Sequence, residues 1–299
     1  MNHVIRISET GGPEVMQWET QEIASPGPSE ILLRHTAVGL NYIDVYFRSG
    51  VYPAPQLPFT PGLEGAGVVE AVGEEVTDLA PGDHVGYAAQ PLGAYAESRL
   101  IPADRVVRLP DGIEDRVAAA MMLKGMTVQY LLRSTVVLKA GDTILFHAAA
   151  GGVGLIACQW AKHLGGTMIG TVGSEEKAEL AHAHGCTHTI LYNEENFVER
   201  VQELTGGRGV DAVYDSVGRD TFYQSLDCLR MRGTLVLFGQ SSGKVEPFDP
   251  AVLSGKGSLF LTRPTLFNYT ASREDLLHCA AELFDVLQSG AVKADINQE

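Results

Sequence analysis

The segment from Thr143 to Gly154, TILFHAAAGGVG, restricts the fold of this chain more than any other stretch. Ile144, Leu145 and Phe146 form a short apolar run of the kind that fills a strand buried on both faces of a parallel sheet. Ala149-Ala150-Gly151-Gly152-Val153-Gly154 then matches the G-x-G-x-x-G spacing, with alanine in the first glycine position. Val153, Ile156, Ala157, Trp160, Ala161 and Leu164 follow at helical spacing. Strand, glycine-rich turn and helix in this order are the context in which the spacing marks a dinucleotide site. The glycines let the backbone approach a pyrophosphate, and the helix N-terminus offers unpaired N–H groups and the positive end of its dipole. An ordinary tight strand-to-helix turn reads the same locally, so the rest of the chain has to decide between them.

A chain of 299 residues has room for two domains or one large one with an ample core. Its hydrophobic share of 45% and charged share of 20% are those of an ordinary globular protein. The net charge of −15, from 22 basic and 37 acidic residues, disfavours nucleic acid or an anionic membrane as the main partner. No apolar run approaches the roughly 20 residues of a membrane span. The N-terminal MNHVIRISET lacks the apolar core of a signal peptide. The expected compartment is the cytoplasm. Cys158, Cys186, Cys228 and Cys279 lie far apart, without a C-x-x-C pair or zinc-ribbon spacing, which points to reduced, buried thiols.

Up to about residue 120 the pattern is β-rich. Val4–Ile7 and Glu30–Arg34 read as strands, and glycine and proline recur at short intervals from Gly62 to Gly86. Many short strands so punctuated suggest a small barrel. Within this part Asn41 is placed to cap a short helix over Tyr42-Ile43-Asp44-Val45-Tyr46. The proline-rich loop Tyr52-Pro53-Ala54-Pro55 follows. Three tyrosines and a phenylalanine beside that loop fit an aromatic pocket, the core or a barrel rim equally well. Helical spacing returns from Glu114 to Arg133, where Val117, Ala120, Met121, Lys124 and Val128 share a face that Gly125 interrupts.

Beyond Gly154 strands and helices alternate. Strands are expected at Thr167–Gly173, Thr189–Tyr192, Val210–Asp215, Gly233–Gly239 and Ser258–Pro264. Such alternation means a doubly wound parallel sheet with its ligands at the carboxyl ends of the strands. Ser216, Phe238-Gly239 and Thr262-Arg263 are then strand tips, with an ordinary loop as the alternative for each. An NAD site expects an acidic residue at the end of the second strand, about 20 residues past the glycines, to hold the ribose 2′-hydroxyl. Gly173 and Ser174 stand there instead, and Lys177 follows one helical turn on. A hydroxyl and a cation suit a 2′-phosphate, so the cofactor indicated is NADP; Glu175 and Glu176 fit if they face solvent. The run His182-Ala183-His184-Gly185-Cys186-Thr187-His188 gathers metal-ligating types. It also reads as a helix end, with Gly185 following the cap and histidines complementing the dipole.

The runs GLNYIDVYFRSGVYP (39–53), PGLEGAGVVEAVG (61–73), HAAAGGVG (147–154), YDSVGRDT (214–221), FGQSSG (238–243) and LTRP (261–264) together resemble the medium-chain dehydrogenases/reductases, specifically the zinc-free quinone oxidoreductases of zeta-crystallin type. The resemblance covers essentially the whole chain. Zinc alcohol dehydrogenases of the same superfamily hold their catalytic metal with a cysteine and a histidine, where this chain carries Asn41 and Leu63. Leucine cannot ligate zinc, so no metal is expected.

The resemblance implies an α/β fold: a GroES-like β-barrel domain at residues 1–122, a Rossmann NADPH-binding domain at 123–264, and a return of 265–299 to the first domain. It also implies a homodimer. Asn41, Tyr46 and Tyr52 would line the nicotinamide and quinone cleft as its catalytic residues, with Asn41 and Tyr46 also touching the cofactor. Tyr130, Gly152, Val153, Gly173, Ser174, Lys177 and Tyr192 would hold NADPH, joined by Ser216, Phe238, Gly239, Ser241 and Arg263. Family members usually continue past Gln298-Glu299 with a helix and a last strand, so a truncated or naturally short variant is expected. The implied activity is hydride delivery from NADPH to a small-molecule quinone. Reduction of an activated C=C bond in an enone or alkenal is the alternative, and a non-enzymatic NADPH-binding role, structural or RNA-associated, is a third.

Overall fold

The computed structural model describes residues 1–54, 56–296 and 298. Pro55 of the proline-rich loop and the terminal Glu299 lie outside the described residues. Contacts divide the chain into two units. One comprises Met1–Met126, Tyr269–Gln288 and the described residues from Ala294 on; the other comprises Thr127–Asn268 and Ser289–Lys293.

In the first unit, β1 (Asn2–Ile7) and β2 (Met16–Gln21) form an antiparallel ribbon. After β3 (Glu30–Val38) come the short helix α1 (Tyr42–Arg48) and then β4 (Glu64–Val72), β5 (His84–Ala88), β6 (Ser98–Pro102) and β7 (Val107–Arg108). The last five strands make one antiparallel sheet in the order β6-β3-β4-β5-β7. Register shifts at Leu32/Leu33 and His35/Ala37 curve β3 against β4. Bridges Val4–Ala96 and Ile7–Phe59 tie the ribbon to the loops of that sheet. Ile31, Leu33, Val69, Val85, Tyr87 and Ile101 fill its interior.

Helix α2 (Asp115–Gln129) differs from the single apolar face suggested by its spacing. Ala118, Ala119, Met121, Met122 and Met126 are all buried, whereas Val117, Ala120 and Lys124 are only partly so. Gly125 does not interrupt the helix. A Cβ there would stand 2.5 Å from Leu283 Cδ1 on the helix Arg273–Gln288, so the missing side chain is what lets these helices approach. The chain then widens into a π-helical turn over Tyr130–Thr135.

In the second unit, β8 (Thr143–Phe146) leads into α3 (Gly152–His163), followed by β9 (Thr167–Val172), α4 (Glu175–Ala183) and β10 (His188–Leu191). Helix α5 (Phe197–Leu204), β11 (Val210–Asp215), α6 (Phe222–Asp227), β12 (Leu229–Leu237), α7 (Ala251–Gly255) and β13 (Phe260–Thr262) complete it. The six strands are parallel in the order β10-β9-β8-β11-β12-β13. This is the doubly wound sheet that the alternation called for, and its order is 3-2-1-4-5-6. Ile144, Leu145 and Phe146 are 0–1% exposed, as a strand covered on both faces requires. The strand order reverses between β8 and β11, and the carboxyl ends there are where such sheets bind ligands.

Candidate functional site

At the carboxyl end of β8 the chain enters its glycine-rich turn through Ala148, a non-glycine residue at φ +56°. That strained conformation costs roughly 1–3 kcal/mol and is typical of a turn held for function. Gly151 caps α3 in an extended conformation. The first intrahelical bond runs from Leu155 N–H to the Gly151 carbonyl, which leaves the N–H groups of Gly152, Val153 and Gly154 without a carbonyl of their own helix. Gly151 and Gly152 are exposed. A Cβ on Gly154 would lie 2.4 Å from the carbonyl oxygens of both Ala148 and Ala149, so only glycine lets the helix start this close to the strand. The result is an open cradle of N–H donors at the positive end of a helix, the shape and charge a pyrophosphate needs.

Gly173, Ser174, Lys177 and Tyr192 come together at the ends of β9 and β10. Ser174 caps α4, its hydroxyl accepting from Lys177 N–H at 3.4 Å. A Cβ on Gly173 would stand 2.8 Å from Tyr192 Oη, so the tyrosine ring lies over the glycine. Lys177 and Tyr192 are exposed, as are Glu175 and Glu176 in the first turn of α4.

The tips of β11 and β12 gather Ser216, Phe238, Gly239 and Ser241. Ser241 N–H donates to the Ser216 carbonyl at 3.1 Å, and a Cβ on Gly239 would meet that same oxygen at 2.5 Å. Phe238 packs on Phe146 with ring centroids 5.6 Å apart. Arg263 is bound to this loop, donating to the Leu237 carbonyl at 2.8 Å and to Gln240 Oε1 at 3.5 Å. Tyr130 lies apart from these tips in sequence and is buried in the π-helical turn.

Beneath the tips runs a polar network that the sequence reading missed. Asp215 is fully buried; its Oδ1 accepts from the N–H groups of Val217 and Gly218, and its Oδ2 from the hydroxyls of Thr221 and Ser225. The Ser225 hydroxyl also meets His147 Nε2 at 3.0 Å, while His147 Nδ1 meets Thr171 Oγ1 at 2.9 Å. Burial lowers the His147 pKa, partly opposed by Asp215. The chain of bonds pins the ends of β8, β9 and β11 to one another. Only the position of these residues at strand ends hinted at it; nothing in their spacing predicts the partners.

In the first unit, Asn41 occupies the N-cap of α1 and its N–H donates to Asp44 Oδ2 at 2.9 Å. Its side-chain Nδ2 donates to Glu64 Oε2 at 2.7 Å. Glu64 is wholly buried, takes the Leu123 N–H on Oε1 at 2.6 Å, and has Lys124 Nζ at 3.6 Å. A Cβ on Gly39 would stand 2.1 Å from Glu64 Oε2, so Gly39 makes room for the carboxylate. Asp44 is also buried, with Tyr95 Oη donating to it at 2.9 Å and its Oδ1 left without a partner. Burial pushes both carboxyls above the usual carboxylate range, against the pull of Lys124 and their hydrogen bonds.

On the same helix Tyr46 packs on Tyr52 with ring centroids 5.0 Å apart, and Tyr42 meets Tyr46 edge-on at 5.2 Å. Asn41, Tyr46 and Tyr52 are thus borne by one helix and the loop after it, with Phe47 packed beneath Tyr52. Leu63, which stands where the zinc enzymes place histidine, is a fully buried hydrocarbon. The ring nitrogens of His182 are engaged by the Cys186 carbonyl and Thr189 Oγ1, and His184 Nδ1 by the Leu180 carbonyl. Among the described residues no three His, Cys, Asp or Glu side chains converge as metal ligands do.

Residues 27–111 match the alcohol dehydrogenase GroES-like domain and residues 152–283 match the zinc-binding dehydrogenase family. The chain is 55% identical over 294 residues to a quinone oxidoreductase of Pseudomonas aeruginosa, an alignment spanning 98% of this chain and 90% of that one. The structure of Escherichia coli quinone oxidoreductase complexed with NADPH superposes with a TM-score of 0.96 at 49% identity, covering 99% of this chain and 90% of that one. A 2-haloacrylate reductase of a Burkholderia species is 46% identical, over 97% of this chain and 89% of its own.

Proposed function

This chain belongs to the quinone oxidoreductase family of the medium-chain dehydrogenases/reductases, and from that premise we propose that it is an NADPH-dependent enzyme that reduces quinones without a metal ion. The observation that carries the cofactor half of this reading is the end of β9, where Ser174 and Lys177 stand in the place of the acidic residue that would repel a 2′-phosphate. The glycine cradle fits the rest of the dinucleotide, since its N–H groups are free of the helix ladder and a side chain at Gly154 would destroy it. NADPH supplies the hydride when bound.

The protein's own share is positioning and electrostatics. Gly152 and Val153 offer N–H donors to the pyrophosphate, and Lys177 and Ser174 bind the 2′-phosphate beside Gly173 and Tyr192. Ser216, Phe238, Gly239 and Ser241 shape the strand tips that face the nucleotide. Arg263 acts through the loop it ties down, and Tyr130 closes the wall on which the cofactor rests. In the first unit Asn41, with Tyr46 and Tyr52, orients the acceptor and hydrogen-bonds the oxygen on which charge develops. Neither position that the zinc enzymes use carries their zinc ligand, because Leu63 has no donor atom and Asn41 is a neutral amide in place of a thiolate.

The reading also places the enzyme in the cytoplasm as a homodimer. Its support there is the set of four buried free thiols, which suits a reducing compartment. No helix among the described residues is long and apolar enough to cross a membrane.

One relative supports a second reading. A haloacrylate carries a C=C bond conjugated to a carboxylate, so reduction of activated alkenes is the alternative activity. Following NADPH oxidation by the purified chain with a simple quinone and, separately, with an enone decides between them. Rapid turnover with the quinone and slow turnover with the enone is expected; the reverse transfers the assignment to alkene reduction.

A further inference from the structure

Asn41 is the one polar side chain among the three residues assigned to the acceptor site that is almost fully buried, at 5% exposure. An asparagine amide has two ends of nearly equal shape and opposite polarity, and what sets its orientation is the partner it meets. Here the partner is a carboxylate. Glu64 Oε2 accepts the Asn41 Nδ2 hydrogen at 2.7 Å, and an ionised carboxylate cannot donate to Oδ1 in return. Three groups support the ionised form against burial and the Asp44 carboxyl: the Asn41 amide donates to Oε2, Leu123 N–H donates to Oε1, and the Lys124 ammonium lies 3.6 Å from Oε2 while also reaching the Leu40 carbonyl. The carboxylate in turn has no freedom to move, because it is sealed from solvent and backed by Gly39, where any Cβ would overlap it. Burying a charge here at the expense of desolvation calls for a reason.

We propose that Glu64 is a positioning residue for the reaction: its carboxylate fixes the Asn41 amide in one orientation, leaving the second N–H of that amide for the ligand. This rests on the reading above that Asn41 touches the acceptor or the nicotinamide. Protonating Glu64 turns one acceptor into a donor, allows the amide to rotate end for end, and removes the orientation. The charged and titratable groups that govern that proton are Lys124, which holds it off, and Asp44, whose carboxyl favours it; the phenols of Tyr87 and Tyr95 also feel the Glu64 charge. Burial raises the Glu64 pKa, so the acid limb of turnover falls above the ordinary glutamate range.

The test uses the full chain with three substitutions, E64Q, K124M and N41A, read by quinone kinetics at saturating NADPH, by NADPH titration, and by the side-chain amide resonances of the NADPH-free protein. For E64Q the expected result is a fall in kcat of about tenfold, NADPH affinity unchanged, no acid limb in the pH profile, and a displaced Asn41 NH₂ pair, identified by its loss in N41A. For K124M, which keeps the carboxylate but removes its counter-charge, the acid limb moves to higher pH. This second variant decides the matter if E64Q does not fold. Impaired N41A beside E64Q of wild-type kcat, KM and amide spectrum overturns the role of Glu64 alone. Wild-type turnover in N41A overturns the assignment of Asn41 itself, and the positioning role with it.

Discussion

The cradle at β8–α3 and the polar cluster around Asn41 are built on opposite plans. The cradle is a continuous run, Ala148 to Gly154, whose donors are backbone N–H groups and whose shape depends on the absence of side chains. The cluster joins residues 39, 41, 44, 64, 95, 123 and 124 through side-chain carboxylates, an amide, a phenol and an ammonium. The first is broken by adding an atom, the second by removing a charge. A backbone site is read from consecutive letters, whereas a side-chain site exists only after the fold has brought distant letters together.

The largest effect is expected at Gly154. Its Cβ position is blocked by two carbonyl oxygens at 2.4 Å, neither of which is the end of a flexible side chain. Gly154→Val should displace the start of α3, cut NADPH affinity by more than about a hundredfold, and cost about 1–3 kcal/mol from overpacking. Fluorescence titration with NADPH and a thermal melt measure the two losses, and a near-normal affinity would mean the cradle is more plastic than its geometry implies.

Removing a charge from the second unit tests whether the contrast is one of site type rather than of unit. Asp215→Ala deprives two N–H groups and two hydroxyls of their acceptor, and about 3 kcal/mol of stability should go with it. Denaturant unfolding reads this directly. The neutral Asp215→Asn should lose less, since its amide oxygen still serves one pair of donors.

Two histidines, the half-buried His35 in the first unit and the buried His147 in the second, weaken the fold in acid. His35, held between the Ala96 carbonyl and Tyr87 Oη, has its pKa lowered to about 4 by burial, with Arg99 adding to the effect. His147 is lowered for the same first reason. In both cases the folded value lies below the unfolded one near 6.5, so the unfolded chain takes up the proton first. The stability is therefore present above about pH 6.5 and is lost as the pH falls toward the folded values. For His35 alone the loss between pH 7 and pH 5 is about 2 kcal/mol. Melting temperatures of wild type and of His35→Gln across that range should diverge at high pH and converge at low pH.

The smallest effect is expected at Lys177, an exposed cation whose contact with a 2′-phosphate is worth about 1 kcal/mol. Lys177→Ala should weaken NADPH roughly fivefold and leave NADH unchanged. Equal losses for both would place the lysine elsewhere on the nucleotide.

These contrasts follow what could and could not be read in the letters. The doubly wound sheet and the glycine cradle were accessible because apolar runs and glycine spacing encode local backbone geometry. Asn41 was accessible as a helix cap, yet its partner Glu64, 23 positions on, was not, because it opens β4 among buried apolar and glycine residues, where a buried carboxylate violates the pattern. His147 sat inside the motif and still escaped, its partners Thr171 and Ser225 lying 24 and 78 residues away. Gly125 read only as a gap in a helix face, because the helix it packs on begins at Arg273. Packing across long sequence separation is what periodicity cannot see.

The central claim is hydride transfer from NADPH to a quinone at this site. Single-turnover mixing of the NADPH-loaded protein with excess quinone, using cofactor deuterated at the transferred position, tests it most directly. The account predicts rapid, single-exponential oxidation of the bound cofactor, slowed by the deuterium. Tightly bound NADPH that the quinone fails to oxidise, or oxidises without regard to the label, would contradict it.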